Sequence, residues 1–129
     1  TGEISDFNIL CTTGYNLEYI ASQSGTGSVS VIAKNNNDKN VYGLIFVLTS
    51  DDGKVSETIS TENNIIQSTA GTAVSPSGTS AALDGFKTIP FSLSTSQKLD
   101  WKTIDIRPIA VLNNGKKQVC ENKFSTLIN

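Results

Sequence analysis

The chain reads as an all-β protein, an immunoglobulin-like antiparallel β-sandwich of about seven to nine strands, on three observations. Apolar runs of five to ten residues, alternating or continuous, recur from end to end between clusters of Gly, Asn, Asp and Ser. Two of those clusters, Asp52-Gly53 and Asn114-Gly115, carry the chemistry of tight hairpin turns. No stretch keeps helical periodicity beyond two turns. At 129 residues the chain is the length of one domain, so residues 1–129 are taken as a single folding unit.

The first strand is expected over Ile4 to Cys11, with Phe7, Ile9 and Cys11 on one face, and Asn16 to Ile20 continuing that edge. Ser28 to Ala33 follows with Val29, Val31 and Ala33 pointing inward. Val41 to Leu48 then turns through Ser50-Asp51-Asp52-Gly53 into Lys54 to Ile59, a β-hairpin. Ser68 to Asp84 is small, polar and Pro-containing, and reads as a long surface loop. Phe86 to Leu93 puts Ile89, Phe91 and Leu93 on one face, and Pro90 within it implies an edge position or a bulge. Thr103 to Leu112 and Lys117 to Leu127 form the closing hairpin around Asn113-Asn114-Gly115, which places Cys120 in the last strand, beside the first in an immunoglobulin-like arrangement.

Ten basic residues, only one of them Arg, stand against twelve acidic ones with no basic stripe, which argues against a nucleic-acid partner. The longest apolar run, Leu44 to Leu48, is far short of the roughly 20 residues of a membrane-crossing helix. Abundant Ser, Thr and Asn, with no His or Met, suits an extracellular, strand-rich module. Cys11 and Cys120 lie near opposite ends. As a disulfide they close a loop for which the chain-entropy model gives about 4–5 kcal/mol; the other reading is two buried, unpaired hydrophobes. A lone pair near both termini without C-x-x-C spacing favours the disulfide in an oxidising compartment.

Catalytic constellations are not legible. Without His, the nucleophile–base pairs of acyl transfer lack members. Asp105 and Glu57 are the best-placed acids for glycosidase chemistry, and each reads more simply as a solvent-facing strand residue. Asn35-Asn36-Asn37-Asp38 and Asp51-Asp52-Gly53 offer hard oxygen ligands but lack the spacing of a calcium loop, so both are read as turns. No cofactor or metal is expected. The non-enzymatic reading follows.

The segment Val41 to Leu48 is apolar on both faces, with Tyr42, Leu44, Phe46 and Leu48 on one and Val41, Ile45 and Val47 on the other. An antiparallel sandwich strand ordinarily turns one face to water, so this one needs a second cover. That cover is either a loop such as Ser68 to Asp84 or a subunit. The subunit reading gives a homodimer interface of Val41, Gly43, Ile45 and Val47, joined by Ile65 and Ile66, with Gly43 permitting close approach.

The closing run Ile104-Asp105-Ile106-Arg107-Pro108-Ile109-Ala110-Val111, followed by Asn114-Gly115-Lys116 and Cys120, resembles the final strand pair of archaeal type IV pilin-like ectodomains. The chain's composition is most similar to the soluble domain of archaellum stator proteins in that superfamily. The resemblance implies an N-terminal apolar anchor helix outside the present sequence and a location in the extracellular cell envelope. It further implies a dimeric immunoglobulin-like head that binds an S-layer or other envelope protein and the motility motor. Two other readings stand beside it. One is the head of a filament-forming archaeal pilin; the other is a carbohydrate-binding module using Trp101 near Tyr15 and Tyr19 in loops.

Overall fold

The computed structural model describes residues 17–36, 41–62, 65–68, 71–74, 85–111, 115–120 and 123–129. Nine strands occur among them: β1 (Leu17–Gly25), β2 (Ser28–Asn35), β3 (Gly43–Ser50), β4 (Ser56–Ser60), β5 (Thr72–Val74), β6 (Thr88–Ser94), β7 (Trp101–Val111), β8 (Lys117–Val119) and β9 (Phe124–Leu127). They form two antiparallel sheets, ordered β1-β2-β6-β5 and β4-β3-β7-β8, with β9 also pairing with β7. This order is that of an immunoglobulin-like sandwich, with β1, β2, β6 and β5 as one sheet and the flanking hairpins of the other built on β3 and β7. No helix among the described residues is long and apolar enough to cross a membrane.

Alternation sets which side chains fill the space between the sheets. Val29, Val31 and Ala33 on β2 are fully buried, as their spacing predicts, and Phe91 and Leu93 on β6 join them. From the other sheet come Leu44, Phe46 and Leu48 on β3, Ile59 on β4, and Ile104 and Ile106 on β7. Phe46 and Phe91 meet across the core, their ring centroids 5.8 Å apart and tilted by 58°. Burial of a side chain of this size is worth roughly 1.5–3 kcal/mol, so these rows are the main source of stability.

The prolines and turn residues fall where the ladders allow them. Pro90 lies on β6 beyond the reach of β5, which pairs only with Ser92, Leu93 and Ser94. That is the edge-like position that a missing N–H requires. Pro108 lies in a central strand, at a handover: β9 pairs with Thr103–Ile106 and β8 with Ile109–Val111. The Pro108 carbonyl accepts the Cys120 amide at 3.0 Å. Gly53 and Gly115 take positive φ angles of 75° and 85° in their turns.

Several expectations are revised. β1 runs to Gly25, five residues past Ile20, and joins β2 through a turn in which Gly27 has φ 77°. The stretch read as a surface loop, 68–84, contains β5, whose Ala73 is buried in the core. Cys120 falls between β8 and β9, in neither strand. It is buried and disulfide-bonded. Cys11 and the strand predicted over Ile4 to Cys11 lie outside the described residues.

The sandwich is tied at both lateral edges by polar contacts. On one side Asn129 bridges to β1, its carbonyl accepting the Gln23 amide at 2.8 Å and its amide bonding the Ala21 carbonyl at 3.1 Å. On the other side stands Glu57. It shares the inward side with Val55, just before β4, and with Ile59, is only 1 % exposed, and is therefore not the solvent-facing residue expected. Its carboxylate accepts the Ser96 amide and hydroxyl, both at 2.8 Å, and the Gln97 amide at 3.3 Å. A buried carboxylate is tolerated when its lone pairs are filled in this way.

Candidate interaction surfaces

The strand with two apolar faces is closed within the chain. Outward from the core, Ile45 is 2 % exposed, and Gly43 and Ile109 beside it are buried as well. Val41 packs in the central core with Leu44 and Phe46, on the opposite side to that expected, because β3 and its alternation begin only at Gly43. Gly43 does permit a close approach, from inside the chain. A Cβ there would lie 2.7 Å from Thr61 Oγ1, 2.9 Å from Glu62 Cγ and 3.2 Å from Ile109 Cδ1. The Thr61 hydroxyl accepts the Leu44 amide at 3.0 Å, which holds that crossing segment down.

The predicted subunit interface is corrected accordingly. Val41, Gly43 and Ile45 cannot meet another molecule while the chain is folded. Val47 and Ile65 are half-buried, and only Ile66, at 37 %, is exposed. Asp105 lies on this outer face, where it accepts the Ser125 hydroxyl at 2.5 Å and the Lys123 ammonium at 3.3 Å. Asp105 and Glu57 thus occupy opposite faces of their sheet, which removes the pairing that glycosidase chemistry needs.

Among the described residues, Trp101 and Tyr19 do not form the sugar-stacking platform of the carbohydrate-binding alternative. Trp101 is 3 % exposed and its indole N–H donates to Thr95 Oγ1 at 3.2 Å. Tyr19, in β1 and not in a loop, is buried against Phe124 with ring centroids 5.1 Å apart. Tyr15 lies outside the described residues.

Asp51-Asp52-Gly53 is a turn, as its composition indicates. Asp52 Oδ1 accepts the Ser50 hydroxyl at 2.6 Å and the Lys54 amide at 3.0 Å, and these two bonds, in that order, hold its carboxyl below the ordinary value of 3.8. A depression of about 310 Å³ beside it is lined by Ser50, Asp51, Asp52, Val55, Leu99 and Asp100. Its other carboxylates are engaged by protein, Asp51 with Lys102 at 3.7 Å and Asp100 with Gln23 Nε2 at 3.3 Å. Among the described residues no group of three His, Cys, Asp or Glu side chains is placed to hold a metal. Asn35 of the second oxygen-rich segment is a buried strand residue, and 37–38 lie outside the described residues.

The surface that sequence reading missed is the outer face of the β1-β2-β6-β5 sheet. Ile20, 63 % exposed, is directly opposite Ile32, 45 % exposed, and Ile32 is directly opposite Pro90, so three strands present one apolar row. On one side of it runs the row Glu18, Lys34 and Thr88. On the other run Ser22, Ser30 and Ser92. At the end of this sheet stands Phe86, 71 % exposed and with φ 60°, in a turn whose Lys87 carbonyl accepts the Asn35 amide at 2.9 Å. An aromatic residue in the left-handed region carries about 1–2 kcal/mol of backbone strain, and here burial does not offset it. No protein-family model and no curated protein matches the chain.

Proposed function

We propose that this domain is a non-enzymatic extracellular anchor or adaptor, a β-sandwich head that binds a protein of the archaeal cell envelope, such as the S-layer, as part of a motility apparatus. The resemblance of the Ile104–Val111 strand and its Asn114-Gly115-Lys116 turn to pilin-like heads gives the setting. The observation that carries the binding role is Phe86. The chain holds a large aromatic side chain in water at 71 % exposure and in a conformation that Gly would adopt more easily. A residue that costs stability in both ways is accounted for by a partner that buries it. The buried disulfide cysteine Cys120 supports an oxidising location.

The test is co-sedimentation of the domain with isolated S-layer sheets from the cells that produce it. Wild type is expected in the pellet, and Phe86→Gly is expected in the supernatant, although relief of the positive φ leaves it at least as stable as wild type. Failure of wild type to pellet, or undiminished pelleting of Phe86→Gly, overturns the reading.

A further inference from the structure

Arg107, the sole arginine of the chain, stands on the outer face of the β4-β3-β7-β8 sheet, in the central strand β7 and directly opposite Ile45 on β3. Its side chain is half-buried, and Ile45 beside it is buried. A guanidinium carries five N–H donors in a planar fork, and drawing it out of water is costly unless acceptors replace the water. Among the described residues the Arg107 guanidinium makes no hydrogen bond and no ion pair. The acid two residues away on the same strand and face, Asp105, is engaged elsewhere, one carboxylate oxygen with the Ser125 hydroxyl and the other with the Lys123 ammonium at 3.3 Å. Glu62, whose stem lies over Gly43, is not paired with Arg107 either. Covering Ile45 accounts for the methylene stem of Arg107 but not for its head, since Lys or Met would cover as much.

We infer that Arg107 is the receptor for a carboxylate presented by an acidic peptide segment of a partner protein. The two oxygens of a carboxylate meet the guanidinium fork in parallel, and Ile45 and the half-buried Val47 provide apolar surroundings in which such a charge-assisted pair gains strength. The charge balance selects a carboxylate over a phosphate. Asp105 and Lys123 cancel each other, which leaves one positive charge for one negative charge, whereas a phosphate brings about two and would lie beside Asp105. Phe86 is at the end of the other sheet, so this is a second contact and does not rest on the first.

The experiment uses the purified domain and a hexa-aspartate peptide as the probe. With one arginine in the chain, its Nε–Hε signal in a proton–nitrogen spectrum is a single peak, and it is expected to shift saturably as peptide is added. Arg107→Lys keeps the charge and the stem but not the fork, and is expected to weaken peptide binding about tenfold or more. Arg107→Met keeps only the stem and is expected to abolish binding, with circular dichroism verifying that both variants fold. Lys34→Met, on the other sheet, is expected to bind as wild type. A peak that does not shift saturably, binding undiminished in Arg107→Lys, or an equal loss in Lys34→Met overturns the inference. So does inorganic phosphate binding as tightly as the peptide. No envelope enters the assay, so its failure and that of the Phe86 contact are distinguishable.

Discussion

Glu57 on β4 accepts two hydrogen bonds from Ser96, one from its amide and one from its hydroxyl, across the gap between the two sheets. With the Gln97 amide as a third donor, the loop after β6 is fixed to one buried carboxylate whose own lone pairs are thereby filled. Glu57→Ala is expected to lower the unfolding free energy by about 2–4 kcal/mol. Glu57→Gln keeps an acceptor and should lose less. Urea denaturation checks both, and an unchanged midpoint for the alanine variant would refute the role.

Glycine is required where segments cross closely. A Cβ at Gly43 would lie under 3.0 Å from Thr61 Oγ1 and Glu62 Cγ, so these side chains must move and the Thr61 bond to the Leu44 amide is disturbed; Gly43→Ala should cost about 1–3 kcal/mol. At Gly71 the neighbours are harder to move: Glu57 Oε2 at 2.5 Å and the Ser94 backbone carbonyl at 2.6 Å. Gly71→Ala should be the more damaging of the two, and their order in thermal melting tests this.

Ile45→Lys separates a buried site from a surface contact. Since Ile45 is 2 % exposed in the single chain, an ammonium there has no route to water and should destabilise the fold by about 3–5 kcal/mol. The expected product is a largely unfolded chain. A well-folded variant with an altered oligomeric state would restore the interface read from the sequence.

Asp52 predicts an acid-side effect. Its folded pKa lies below the ordinary 3.8, through the Ser50 hydroxyl first and the Lys54 amide second, so the ionised form favours the folded hairpin. That contribution is present above the unfolded value and disappears as pH falls through the folded one. Below about pH 4 the urea midpoint of wild type should therefore fall more steeply than that of Asp52→Asn. Parallel curves would contradict it.

Much of the fold was legible because burial here follows a period of two. Val29, Val31 and Ala33, and Phe91 with Leu93, declare their inward face in any local window, and the Gly53 and Gly115 turns declare theirs. What was not legible needed partners. Ile20, Ile32 and Pro90 lie on three strands, and only the pairing register makes them one row. β5 is three residues long and too short to show a pattern. Glu57 did carry a signal, its alternation with Val55 and Ile59, but charge outweighed position in reading it. The second cover of β3 was correctly required, and its source in Thr61 and Glu62 depended on a crossing that sequence alone does not specify.

The central ladders also bear on how the chain reaches this state. Val31 pairs with Phe91 and Phe46 with Ile106, in each case sixty residues apart, so neither sheet has a middle until distant segments meet. Hairpins such as β3–β4 can form early, but their loss of chain entropy is recovered only when β6 and β7 arrive. Folding on the millisecond-to-second scale is the expectation for such a topology. Truncating Phe46 or Phe91, which touch across the two sheets, should slow refolding itself and not merely hasten unfolding.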